Sequence, residues 1–327
     1  MHDPRSLLER AAEMYDFGSA LRGPAAAPDV TPEPVAAPAP APVAPVPAPP
    51  PVAVEAPRPA PEPVRAVAPA PAPAPAPRAP VPVGPEAEIS RDLLAANHFI
   101  VPGAPMTALA EEFRLLKRQL LSDIAAAKRQ SEEKRRSLLV CSAQPKEGKT
   151  FCAINLALSL SGESELEVLL VEADFLKPDT LDRLGLSAGP GFVDALLDPE
   201  VDTESYVIRT DVPGLSVLPA GAKTNNVPEL LASDRCREVL AKLVAGNQRR
   251  IVIFDSPPVL MASHATVLAG LVGRAIVVVR ADRTTEADLR EAIGLLQGCE
   301  ISLMLNGAGL AVTGRKFGSY DGYGHDD

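Results

Sequence analysis

Residues with the right types and spacing for chemistry sit at the ends of aliphatic runs. The segment AQPKEGKT, 143–150, lies between LLVCS and TFCAINLALSL. A G-x-x-x-x-G-K-[ST] loop between a strand and a helix surrounds phosphate oxygens with backbone N–H groups. Its lysine reaches the β- and γ-phosphates, and its hydroxyl binds magnesium. Ala143 stands at the first glycine position, while Gly148, Lys149 and Thr150 keep the rest. Alone the match is weak, because strand-turn-helix segments are common. Two more strand ends strengthen it. VLLVEADFLKP, 168–178, carries Glu172 and Asp174, whose alternate spacing directs both carboxylates to one side. IVIFDSPP, 251–258, ends its aliphatic run at Asp255, where a carboxylate at the C-terminal sheet edge holds hydrated Mg2+. Three such signals in order point to one triphosphate–magnesium site rather than to three unrelated caps or loop acids.

The elements that must position these residues alternate. Strands are predicted at 137–142, 167–172, 215–218, 251–255, 275–280 and 301–305. Helices are predicted at 109–128, 150–161, 227–245, 264–271 and 284–297. Runs such as VLLV, IVIF and AIVVV suit strands covered on both faces. The fold class is therefore α/β, a P-loop NTPase-type, doubly wound and mostly parallel sheet flanked by helices.

Composition limits how much of the chain folds. Of 327 residues 36 are proline, and most of these fall in Ala-Pro repeats between 23 and 87 that cannot propagate helix or sheet. This segment is expected to be a disordered, extended tether, reaching on the order of 200 Å if stiff. Before it, residues 1–22 form a short amphipathic helix candidate with Leu7, Leu8, Ala11, Met14 and Tyr15 at helical spacing. A globular domain is expected over 88–312 and a flexible tail over 313–327. The net charge of -10 disfavours nucleic acid as a partner, although 114–137 is locally basic. No apolar run is long enough to span a membrane, and the acids near the N-terminus do not suit a signal peptide, so a cytoplasmic protein is expected. Cys141, Cys152, Cys236 and Cys299 lie in apolar segments without CxxC spacing and read as reduced core residues. Histidine and cysteine spacing suggests no metal beyond Mg2+.

Taken with NNVPELLAS and ADRTTEADLREA, these motifs resemble the bacterial tyrosine kinase (BY-kinase) family, and within it the tyrosine autokinases encoded with exosortase-linked exopolysaccharide systems. The likeness runs from about Ile89 to Asn306. It implies transfer of the γ-phosphoryl of ATP to tyrosines of the chain's own tail, here Tyr320 and Tyr323 in FGSYDGYGHDD. It also implies nucleotide contacts from Gln144, Pro145, Lys146, Glu147, Gly148, Lys149, Thr150 and Phe151, with Asn306 touching adenine. Thr150, Asp174 and Asp255 would hold Mg2+, Lys149 would take the Walker A role, and Glu172 would orient or deprotonate the phenol. Glu111, Arg114 and Lys117 match an E-x-x-R-x-x-R oligomerisation motif, which implies a homo-oligomer. The implied partner is a membrane polysaccharide co-polymerase or chain-length determinant, which would place the protein at the inner membrane.

The chain also departs from that pattern. Lys146 stands where a glycine is usual and would be strained if its φ were positive. Glu172 lengthens the usual aspartate by one methylene, Leu176 replaces an arginine, and Ser263-His264 replace a common aspartate. These losses leave open a second reading, a catalytically weakened nucleotide-binding scaffold for the co-polymerase. A positioning ATPase is disfavoured because its signature lysine would fall at Gln144.

Overall fold

The fold was obtained as a computed structural model and is described for residues 84–308. The N-terminal helix candidate, most of the tether, and the tail tyrosines Tyr320 and Tyr323 lie outside the described residues.

Strands β1 (Glu86–Ala87), β2 (Ser137–Ser142), β3 (Glu167–Glu172), β4 (Ile208–Thr210), β5 (Leu215–Leu218), β6 (Arg250–Asp255), β7 (Arg274–Arg280) and β8 (Glu300–Asn306) form one sheet. Their order is β1-β4-β5-β3-β6-β2-β7-β8, and only the β4–β5 pairing is antiparallel. The pairings β3–β6 and β6–β2 put Glu172 opposite Asp255, and Asp255 opposite Val140. The ends of these three strands are therefore side by side, beneath the loop that leaves β2.

The helices are α1 (Arg91–Ala96), α2 (Ala108–Ala126), α3 (Glu132–Arg135), α4 (Lys149–Ser161), α5 (Thr180–Leu184), α6 (Phe192–Leu197), α7 (Val227–Ala232), α8 (Asp234–Ala245), α9 (Ser263–Leu271) and α10 (Glu286–Leu295). They cover both faces of the sheet. Leu138, Val140 and Leu170 join Ile154 and Leu156 of α4 on one face, while Leu139, Cys141 and Phe254 join Phe192, Val239 and Leu268 on the other. Burial of alternate residues on opposite faces is what the unbroken aliphatic runs required.

The six predicted strands are present with ends moved by at most one residue. The helix predicted over 227–245 is two helices, because Ser233 adopts an extended conformation and its side chain accepts from Cys236 N–H. Glu86 and Ala87, at the end of the segment read as tether, pair in parallel with β4. Cys141, Cys152 and Cys236 are buried, Cys299 is partly so, and all are free thiols. Among the described residues no helix is long and apolar enough to cross a membrane.

Candidate functional site

The loop from β2 to α4 turns through two left-handed residues, Lys146 at φ 66° and Gly148 at φ 98°. Gly148 is the N-cap of α4 and contributes no capping side chain, so the first amides of a 13-residue helix face outward without one. A Cβ at Gly148 would lie 2.1 Å from Asn306 Nδ2, so even alanine would collide there. Lys146 tolerates the same region of φ at a cost of about 1–3 kcal/mol.

The first half of the loop is strapped by side chains distant in sequence. Glu147 is fully buried; one carboxylate oxygen accepts from Gln144 N–H (2.8 Å) and the other from the Thr284 hydroxyl. Thr284 in turn accepts from Arg280 N–H (2.7 Å), and Asn306 Nδ2 donates to the Glu147 carbonyl (2.9 Å). Gln144 donates to Asp288 (3.3 Å). The loop is thus fastened to the β7–α10 connection and to the end of β8. Gln144, Glu147 and Asn306 act here as loop positioners. They lie outside the wall of the cavity that the rest of the loop encloses.

That cavity, about 460 Å3, has Lys146, Gly148, Lys149, Thr150 and Asp174 in its wall. Lys149 Nζ is 2.8 Å from Asp174 Oδ2, and Asp174 Oδ1 accepts from Lys177 N–H at 3.1 Å. Phe151 also borders the cavity and stacks on Phe99 with ring centroids 5.3 Å apart.

Asp255 lies directly behind this wall and is fully buried. Its Oδ2 accepts from the Thr180 hydroxyl (3.0 Å), while its Oδ1 has no hydrogen-bond partner. Burial pushes its carboxyl up to about 7 against the opposing pull of Lys149, Thr150 and Thr180. A buried carboxylate oxygen without a donor fits a cation site, since a bound cation would offset the desolvation. Thr150, Asp174 and Asp255 therefore fit Mg2+.

Glu172 departs from its expected place. It is buried, its Oε1 accepts from Thr180 N–H (2.7 Å), its Oε2 approaches Ala220 N–H (3.5 Å), and it is absent from the cavity wall. Burial raises its carboxyl. The cause is α5: its first residue presents an N–H to Glu172 and a hydroxyl to Asp255, so the glutamate is spent on holding that helix. The acids that do reach the wall are Asp174 and Asp179, the latter paired with Arg183 at 2.7 Å. Thr180, Asp179 and Arg183 were not singled out in the sequence; the one available signal was an aspartate-threonine pair just past Pro178, a possible helix start.

No family model matches the chain. The tyrosine-protein kinase YwqD of Bacillus subtilis is 28% identical over 221 residues, which cover 68% of this chain and 87% of that protein. The solved tyrosine kinase domain of BceF is 27% identical with a TM-score of 0.53, covering 67% of this chain and 90% of that domain. The chain is thus similar to bacterial tyrosine kinases over about two thirds of its length. A putative tyrosine-protein kinase, EpsB of Ralstonia nicotianae, is 34% identical over 159 residues, and this chain spans about a fifth of its length, 21%.

One further expectation changes. Glu111 and Arg114 pair on the exposed face of α2 (3.3 Å), but Lys117 is buried, with Nζ 2.7 Å from Glu163 and 3.0 Å from the Ser159 carbonyl. Lys117 fastens α2 to the C-terminal turn of α4, so its ammonium is not available to a neighbouring subunit. The lysine's long stem passes along the helix interface and its charge meets carbonyl and carboxylate at the edge.

Proposed function

We propose that this chain is an ATP-dependent tyrosine autokinase acting on Tyr320 and Tyr323 of its own tail, in the service of exopolysaccharide polymerisation or export. The observation that carries this reading is the convergence of Lys149, Asp174 and the half-satisfied Asp255 beneath a helix-start phosphate loop. Phosphoryl transfer requires mainly positioning and charge neutralisation, which these groups supply.

In the reaction the phenolic oxygen bonds to the γ-phosphorus, the bond to the β-phosphate oxygen breaks, ADP leaves, and the phenolic proton passes to a carboxylate. Asp174 and Asp179 are the acids in the cavity wall; with Asp174 given to Lys149 and the Mg2+ set, the proton acceptor is assigned to Asp179 rather than to Glu172. Loop amides and the start of α4 receive phosphate oxygens, with Lys149 opposite them. Thr150, Asp174 and Asp255 would hold Mg2+, which when bound neutralises phosphate charge. A membrane co-polymerase is the proposed partner, and membrane attachment through it follows from that proposal.

The test is purified protein with ATP and Mg2+, read by anti-phosphotyrosine blotting and mass spectrometry of the tail. Label on Tyr320 or Tyr323 that disappears in Lys149→Ala supports the kinase. Tight nucleotide binding with no label, even with a co-polymerase cytoplasmic segment present, supports the scaffold reading. That alternative draws on the left-handed Lys146 and the internal engagement of Glu172.

A further inference from the structure

Leu176 and Met261 are large apolar side chains left 60% and 59% exposed, and both border the cavity that contains Lys149 and Asp174. Solvent contact of two such groups beside a charged pocket is unfavourable in isolation and is relieved if something apolar covers them. Leu176 is also the shared wall of a second cavity, about 280 Å3, whose rim includes Phe175, Lys223 and Val227. Exposed Lys146, Lys177 and Lys223 surround the two openings. The rim is therefore an apolar ridge between two basin-like openings edged by cations.

The chain itself supplies a complementary segment. The described fold ends at residue 308, and Asn306, just before it, packs against Gly148 of the cavity wall. Tyr320 lies fourteen positions after Asn306, a reach of up to roughly 50 Å. The sequence there, FGSYDGYGHDD, has Asp321, Asp326 and Asp327 around its two tyrosines. Tyr320 and Tyr323 are three residues apart, about 10 Å in an extended chain. That spacing suits one ring on each side of Leu176.

We propose that Leu176 and Met261 form the acceptor subsite of this kinase, an apolar clamp that seats the phenol rings of the acidic C-terminal tail while rim lysines meet its aspartates. The proposal rests on the tail being the phosphoryl acceptor and adds the residues that select it. Tyrosine rings pack on leucine and on the polarisable thioether of methionine, and the flanking carboxylates add an attraction that weakens with salt.

Binding of a fluorescent FGSYDGYGHDD peptide to the full chain tests it directly. The chain would carry Tyr320→Ser and Tyr323→Ser so that its own tail does not compete, and anisotropy would be read with and without a non-hydrolysable ATP analogue. Leu176→Ser and Met261→Ser, at exposed positions, are each expected to weaken the peptide about tenfold or more. Nucleotide affinity, measured on the same samples, reports separately on the part of the cavity formed by Lys149, Thr150 and Asp174. A peptide with serine for both tyrosines should not bind, and one with asparagine for its aspartates should bind more weakly and lose its salt dependence. Unchanged peptide affinity in both variants, or no binding by the parent chain up to about 1 mM, overturns the clamp. Because peptide and nucleotide are read separately, loss of nucleotide binding or of tail labelling would count against the proposed kinase activity without being mistaken for failure of the clamp.

Discussion

The floor and the rim of the cavity are built by different rules. On the floor, Asp255, Asp174, Glu172 and Thr180 are buried, and their polar atoms are paired with one another, with Lys149 or with backbone amides, except for one oxygen of Asp255. On the rim, Leu176, Met261, Lys146 and Lys177 face solvent. A group buried in a polar network cannot be replaced without stranding its partners, whereas a rim residue can change with little effect on the fold. The chain's departures from the bacterial tyrosine kinase pattern divide accordingly. Leu176 and Lys146 are exposed substitutions, while Glu172 keeps its charge and turns its longer side chain to the start of α5.

The largest effect is expected at the floor. Lys149→Ala leaves Asp174 buried without its cation, a loss of about 3–5 kcal/mol in stability and the abolition of nucleotide binding. Urea unfolding and calorimetry would measure the two. Asp255→Asn separates stability from function. Its carboxyl is raised to about 7 in the folded chain, above the ordinary 3.8, so the folded state holds the proton more tightly than the unfolded state. Ionisation therefore opposes folding: stability of the nucleotide-free protein falls as pH rises from about 4 to about 7 and levels off above. Asp255→Asn is expected to melt higher than the parent at pH 8, with the advantage shrinking as pH falls, while tail labelling is lost. A variant that melts lower at pH 8 would show that the aspartate is already compensated on the floor.

How much of this was legible in the sequence follows the same division. The strand ends and the start of α4 were readable because the phosphate loop and the aliphatic runs are local patterns, each confined to one segment. What joins them was not. Thr180 meets Asp255 across 75 positions, Glu147 meets Thr284 across 137, and Asn306 reaches the loop across 159. Short elements such as α5 and β4 carry too few residues to show a period, so the helix that diverts Glu172 was invisible. The Glu111-Arg114-Lys117 spacing puts the three near one another on α2, but which part of the helix is covered by α4 depends on tertiary packing.

The strap around Glu147 gives an intermediate effect. Glu147→Ala strands the Gln144 amide and the Thr284 hydroxyl in a closed site, at about 1–3 kcal/mol for a buried donor left unmade. Glu147→Gln is expected to recover most of that loss, since its amide oxygen can accept from Gln144 N–H while its N–H turns to Thr284. Denaturant midpoints of the pair, alongside nucleotide affinity, distinguish a loop held by this strap from one held by the helix alone.

The smallest effect is at the rim, where Lys146→Gly removes a side chain from a left-handed position. Lys146 is exposed and its φ of 66° is one that glycine adopts without strain, so the variant is expected to gain about 1 kcal/mol in stability. Nucleotide affinity is expected to move the other way at low salt, by the 0.2–1 kcal/mol or so that an exposed ion pair contributes. The two signs together decide why a lysine is tolerated there. Stability rising while low-salt affinity falls identifies an ammonium that serves the phosphates at the expense of the backbone. Stability rising with affinity unchanged at every salt concentration would leave Lys146 as strain without a function in nucleotide binding, and would move the origin of the site's electrostatics wholly onto Lys149 and the amides of α4.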